Sequence, residues 1–350
     1  MKVDDSAGPD QVCPRPLQEA REEIAEPLAD IFILSFATVN LITIVILSRG
    51  QCGLSKCISV YMVAMATANL LVLTINIMVY YIFSYHFPHS LLSHTPVCTF
   101  ILYMTVVSLD LTIWFTVSFT FDRFIIMCHQ RFKATYCTKR TASMVITMFS
   151  ILIFVKNITV WFAYEHENVI NKTQWGCRGS LAFFSSTFGV VSVWFHSIWQ
   201  VWLPFALIIL LNSLTVRCVL VATRARRSLR GHTHENERDS EIESRRKSII
   251  LLFTISGSFI LLWLTANVSF VTTKVTNTTY YRGDRTSPVY IATESGAMIK
   301  HLNSCTNTCI YAATQKNFRE EFKKVLKFPW ALIERFLKNE QLQLRPCLRD

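Results

Sequence analysis

The chain of 350 residues is 51% hydrophobic, 13% aromatic and only 17% charged, with a formal net charge of +11, against about 25% charged in an ordinary soluble domain. That balance argues against a soluble enzyme and for a chain that lives largely in lipid. There is no nucleophile–base arrangement, no CxxC pair and no clustered histidine, so neither catalysis nor a metal site is indicated and no cofactor is expected.

Apolar runs recur at about 30–48, 58–83, 97–127, 142–164, 190–221, 247–272 and 290–312. Crossing a hydrocarbon core of about 30 Å takes about 20 apolar residues in a helix, so the runs predict an all-α membrane protein, a bundle of seven transmembrane helices. Residues 1–29 then form an N-terminal segment, 30–312 the seven-helix unit, and 313–350 an inner helix and tail. The first segment has seven Asp or Glu against three Lys or Arg and no apolar core. It does not read as a cleavable signal, and helix one is expected to act as the signal-anchor. With the N-terminus outside, 24 of the 35 Lys and Arg fall on inner segments, the bias that orients such bundles. The basic charge therefore describes an inner face meeting anionic lipid and protein partners, and needs no nucleic acid.

Helix three carries the most information. It opens near Cys98 and closes on Asp122-Arg123-Phe124, a step of about 37 Å at 1.5 Å per residue, enough to put a thiol at one membrane face and an acid–base pair at the other. An ionised pair closing a span is costly unless it sits at the interface or does a job. Of eleven cysteines, this topology leaves Cys13, Cys98 and Cys177 in the oxidising compartment. A Cys98–Cys177 bridge would pin the loop between helices four and five over the bundle mouth, with Cys13 free or paired between molecules. Asp110 and Lys156, each expensive alone in lipid, stand at similar depth on helices three and four and are expected to pair, as a structural ion pair or as a ligand anchor. His196 and Gln200, at i and i+4, share a face of helix five.

Glu294, Lys300 and His301 interrupt the seventh run, which tolerates them only toward a bundle interior. Beyond it, Phe318, Phe322 and Val325 fall on one side among basic residues, predicting an amphipathic helix on the inner leaflet. Asn171 and Asn277 head sequons on outer loops and are expected glycosylation sites, whereas the sequons at Asn157 and Asn267 fall within helices.

Seven helices, Cys98 with Cys177, and Asp122-Arg123-Phe124 followed by Ile125-Ile126-Met127-Cys128-His129 together resemble the rhodopsin-like (class A) G-protein-coupled receptors, over roughly residues 28–328. Asn40, Ala66-Thr67-Ala68-Asn69-Leu70, Pro204, Phe259 with Trp263, and Asn307-Thr308-Cys309-Ile310-Tyr311 follow in the same order. The runs Asn40 to Ser48 and Thr112 to Val117 look most similar to orphan receptors that respond to tryptophan and phenylalanine. The resemblance implies a multi-pass plasma-membrane receptor that passes ligand binding to a heterotrimeric G protein. Arg123 would be held by Asp122 at rest and released on activation, with Asn307, Tyr311, Trp263 and Phe259 as further switch residues.

It also implies a pocket in the outer half, lined by Thr105, Leu109, Asp110, Lys156, His196, Gln200, Trp263, Asn267, Phe270, Lys300 and His301. The ligand would be a small molecule such as an aromatic amino acid, or a peptide. Thr105 stands where amine receptors carry an aspartate, and Lys300 is one residue before the place of the retinal lysine of opsins, a rotation expected to point it elsewhere. Arrestin capture that depends on phosphorylation would use Ser228, Thr233, Ser240 or Ser244 in the third inner loop, since no Ser or Thr follows Gln315.

Several positions depart from the family pattern. Asn69 replaces the acid of a sodium site, and Thr265 and Thr308 replace prolines, where they are expected to bond back to the preceding turn. Arg245 replaces an acid at the inner end of helix six, leaving Glu243 as an alternative restraint on Arg123 and predicting ligand-free activity. A non-signalling decoy of the same fold, or a seven-helix transporter, is the competing reading.

Overall fold

Each apolar run folds as a helix, and the caps are local and polar. The computed structural model describes residues 34–50, 54–83, 90–129, 137–170, 172–228, 235–275 and 288–325. Helix α1 covers Leu34–Ser48. Helix α2, Lys56–Leu71, starts at Ser55, whose hydroxyl accepts from the Ile58 N–H, and runs on as a wider helical coil over Val72–Phe83. Helix α3 is Thr95–Cys128. Helix α4, Lys139–Lys156, is capped by Thr138 and continues through a tight turn, Asn157–Thr159, into Val160–Ala163.

Helix α5 is a composite of Thr187–Ser197, a wide turn Ile198–Trp202, and Leu203–Ser228. Pro204 has no N–H to donate, so the wide turn falls where the regular hydrogen-bond ladder is broken anyway. Helices α6 and α7 are Glu235–Val275 and Pro288–Thr314, and a helix α8 follows at 316–325.

Among the described residues five stretches are long and apolar enough to cross a membrane: Lys56–Val79, Thr95–Cys128, Lys139–Ala163, Thr187–Ala222 and Ile249–Ser269. Helix α1 is shorter within the described residues, and α7 carries the polar interruptions at Glu294, Lys300 and His301. The seven helices form one bundle with α3 at its centre: 78% of the most apolar stretch of α3 is buried, against 11% for α4. The outward faces of α4 and α5 bear Met144, Met148, Ile151, Val191, Trp194 and Trp202, apolar side chains that suit lipid.

Two features differ from the sequence expectation. Helix α6 begins at Glu235 rather than near 247, so Ser240 and Ser244 lie on a helix and Ser228 ends α5, not in a free loop. The 235–247 stretch is rich in Glu, Arg and Lys, good helix formers that need no buried face to extend a helix already nucleated by its apolar part. Helices α6 and α7 run unbroken through Thr265 and Thr308. Yet Thr308 does not bond back to its own helix: its hydroxyl lies 3.0 Å from that of Thr43 on α1. Helix α8 has the expected apolar side, with Phe318 fully buried, its ring edge-on to Tyr311 and stacked with Phe322.

Residues 164–170 and 172–179 make two tiers of paired strands over one end of the bundle. Strands β1 (Tyr164–Glu165) and β4 (Arg178–Gly179) pair antiparallel, as do β2 (Asn168–Ile170) and β3 (Thr173–Trp175). The expected sites at Cys13, Asn171, Asn277 and Thr233 lie outside the described residues, as do the side chains of Glu243, Arg245, Phe270 and Glu294.

Candidate functional site

The hairpin is fixed to α3 covalently and by its backbone. Cys98 and Cys177 are disulfide-bonded, with Cα atoms 6.1 Å apart. Next to the bridge, the Gly176 N–H donates to the Ser93 carbonyl at 2.7 Å, and the Thr95 hydroxyl donates to the Gly176 carbonyl at 2.8 Å. Gly176 has φ of +72°, and a Cβ there would stand 2.8 Å from Glu167 Cβ, so this close crossing requires glycine. Trp175 packs on His94 with ring centroids 4.2 Å apart.

Below this cap, a polar chain crosses from α3 through α4 to α5. Lys156 Nζ donates to Asp110 Oδ2 at 2.7 Å and bonds His196 Nδ1 at 3.0 Å, and it lies 5.9 Å from the Trp199 ring centroid. Because an ammonium has no lone pair, His196 must accept on Nδ1 and carry its proton on Nε2, with Gln200 next to the imidazole. Asn157 also donates to Asp110 Oδ2, at 2.8 Å, while Asp110 Oδ1 is buried without a donor among the described residues. The side chains of Asp110 and Lys156 are 0% and 8% exposed. With its contacts taken up inside the cluster, Lys156 suits a brace between three helices better than a free ligand anchor.

The rest of the expected pocket stands at the same end. Leu109 is buried, and the buried Thr105 hydroxyl and Asn267 Nδ2 have no hydrogen-bond partner among the described residues. Trp263 is nearly fully buried, tilted against Phe259 at 5.4 Å, with Phe205 beyond. Lys300 Nζ lies 5.5 Å from the Trp263 ring centroid, a cation–π contact between α7 and α6. His301, its neighbour, is partly buried.

At the far end of α3, Arg123 and Asp122 form a salt bridge with both side chains buried. Arg123 also lies over the Phe119 ring at 5.5 Å, and its Nε has no acceptor among the described residues. The second carboxylate oxygen of Asp122 accepts from the Cys57 thiol at 3.2 Å. Between the two ends, uncharged polar groups line the path: Asn40 donates to the Ser304 carbonyl at 2.9 Å, and Asn69 Oδ1 faces Thr112 at 3.4 Å. Asn307 and Tyr311 are buried, the Tyr311 hydroxyl without a partner.

The structure thus brings together Asp110, Lys156, His196 and Gln200 in one chain, Trp263 with Phe259 and Lys300 in a second cluster, and Asp122 with Arg123 in a third. Sequence reasoning missed Asn157, noted only as a sequon, Trp199, and Cys57, sorted merely as a thiol of the reducing side. Asn157 could have been found as the polar neighbour of a buried lysine. Cys57 had no signal, because its partner is 65 residues away.

The family model described as 7 transmembrane receptor (rhodopsin family) matches residues 39–311. The match runs from α1 to Tyr311 and contains all three clusters.

Proposed function

Since the chain belongs to the rhodopsin family of seven-transmembrane receptors, we propose that it carries the binding of an extracellular ligand across the plasma membrane to a heterotrimeric G protein. One observation carries the reading: a single 34-residue helix has a disulfide-tethered cap at one end and the buried Asp122–Arg123 pair at the other. Such a helix links a binding mouth to a charge that only a change in helix packing releases.

The ligand is a small molecule with an acidic group and an aromatic ring, an aromatic amino acid being the simplest member of the class. Lys300 would take the carboxylate, leaving the Trp263 ring to stack on the ligand's own, and the polar pair His196 and Gln200 would read its other end. Thr105, Leu109, Asn267, Phe270 and His301 would complete the wall, with the Asp110–Lys156 brace behind it. A peptide is the second ligand class. Cells expressing the receptor are expected to raise cAMP, calcium or inositol phosphate with L-tryptophan or L-phenylalanine. Lys300→Gln should raise the required concentration about tenfold or more, as loss of a charged hydrogen bond does. An unaltered dose response in Lys300→Gln would sink the carboxylate assignment.

A further inference from the structure

The Asp122 carboxylate is held from two sides, and only one of them is an ion pair. Arg123 takes Oδ2, while the Cys57 thiol on α2 points at Oδ1 from 3.2 Å. All three side chains are buried, Cys57 at 1%, Asp122 at 0% and Arg123 at 2% exposed. A buried carboxylate oxygen needs a donor, and for Oδ1 the Cys57 thiol supplies it. Cys137, at the foot of α4, lies 3.9 Å from the hydroxyl of Ser55, the residue that caps α2 just before Cys57. An inert, buried thiol like that of Cys57 is structural rather than reactive.

We propose that Cys57 is a positioning residue for the switch: by donating to Oδ1 from α2 it fixes the carboxylate so that Oδ2 faces Arg123, and so restrains the receptor at rest. This role rests on the G-protein reading above. Turning of the carboxylate, or loss of its charge, would loosen its hold on Arg123 in the resting packing. A donor fixed on a neighbouring helix opposes both. Without the thiol, Oδ1 is buried unpaired in the resting packing alone, and the balance moves toward the packing in which Arg123 is free.

The test is ligand-free nucleotide exchange by the full chain in lipid nanodiscs, on a panel of heterotrimeric G proteins. Cys57→Ala is expected to raise exchange about fivefold, the scale of one modest hydrogen bond. Cys57→Ser, which keeps a donor, should bring exchange most of the way back. In an Asp122→Asn background Cys57→Ala should add nothing further. Exchange unchanged in Cys57→Ala, equal rises in the Ala and Ser variants, or a full additional rise over Asp122→Asn would each overturn the assignment. A second readout is the Cys57 component of the S–H stretch in the infrared, isolated as the difference between wild type and Cys57→Ala, which should shift on Asp122→Asn. Absence of that shift would overturn the contact itself. If the shift is present while wild type and Asp122→Asn alike drive no exchange, the receptor reading fails and the restraint falls with it, though the contact stands.

Discussion

At the scale of single residues, charge is what the sequence makes legible. Asp110 and Lys156 are readable as partners because each is costly alone and their depths match, and they pair at 2.7 Å. Breaking such a pair from one side leaves a buried charge, at a cost of about 3–5 kcal/mol. Lys156→Met should therefore lower the thermal midpoint of the purified receptor steeply, and Asp110→Leu with Lys156→Met should recover most of the loss. A double variant as unstable as the single one would show that the pair is not the brace described above. Asn69 makes the opposite case, a charge that is missing. Facing Thr112 as a neutral amide, it offers little coulombic attraction to a cation in a low-dielectric interior. Thermal unfolding in sodium chloride should match that in the chloride of a bulky organic cation, and Asn69→Asp should introduce a stabilisation by sodium. Neutral partners such as Cys57 and Thr43 leave no comparable mark in the sequence, since a thiol or hydroxyl in an apolar run is inexpensive and unremarkable.

Among elements, the runs of apolar residues locate the helices, but their ends and mutual packing depend on contacts that periodicity does not encode. Helix α6 is longer than its apolar part because charged helix formers extend it. Helix α8 has the amphipathic pattern expected, and its buried Phe318 finds Tyr311 rather than lipid alone. The α6–α7 contact is close at Gly296, where a Cβ would come within 3.0 Å of Ala266 Cα and 3.2 Å of its nitrogen. Backbone cannot give way as a side-chain tip can. Gly296→Val should force the two helices apart at a cost of about 1–3 kcal/mol, read as a lower thermal midpoint and reduced surface expression. A midpoint equal to wild type would mean that the helices are not packed so closely there.

Across the whole molecule, a capped mouth, the brace and the Trp263–Lys300 contact below it, and the Asp122–Arg123 pair at the far end follow one another along one bundle. With Arg245 at the place of a restraining acid, the bundle is expected to signal to some degree without ligand. Glu243→Ala should leave that basal signal unchanged, whereas a rise would make Glu243 the missing restraint. On the proposed mechanism, Arg123 is the group through which the bundle acts on a G protein. Nucleotide exchange with wild type and Arg123→Ala, side by side in nanodiscs across the G-protein families, measures this most directly. Wild type is predicted to exceed Arg123→Ala with at least one family. Equal exchange by the two proteins with every family would contradict the mechanism.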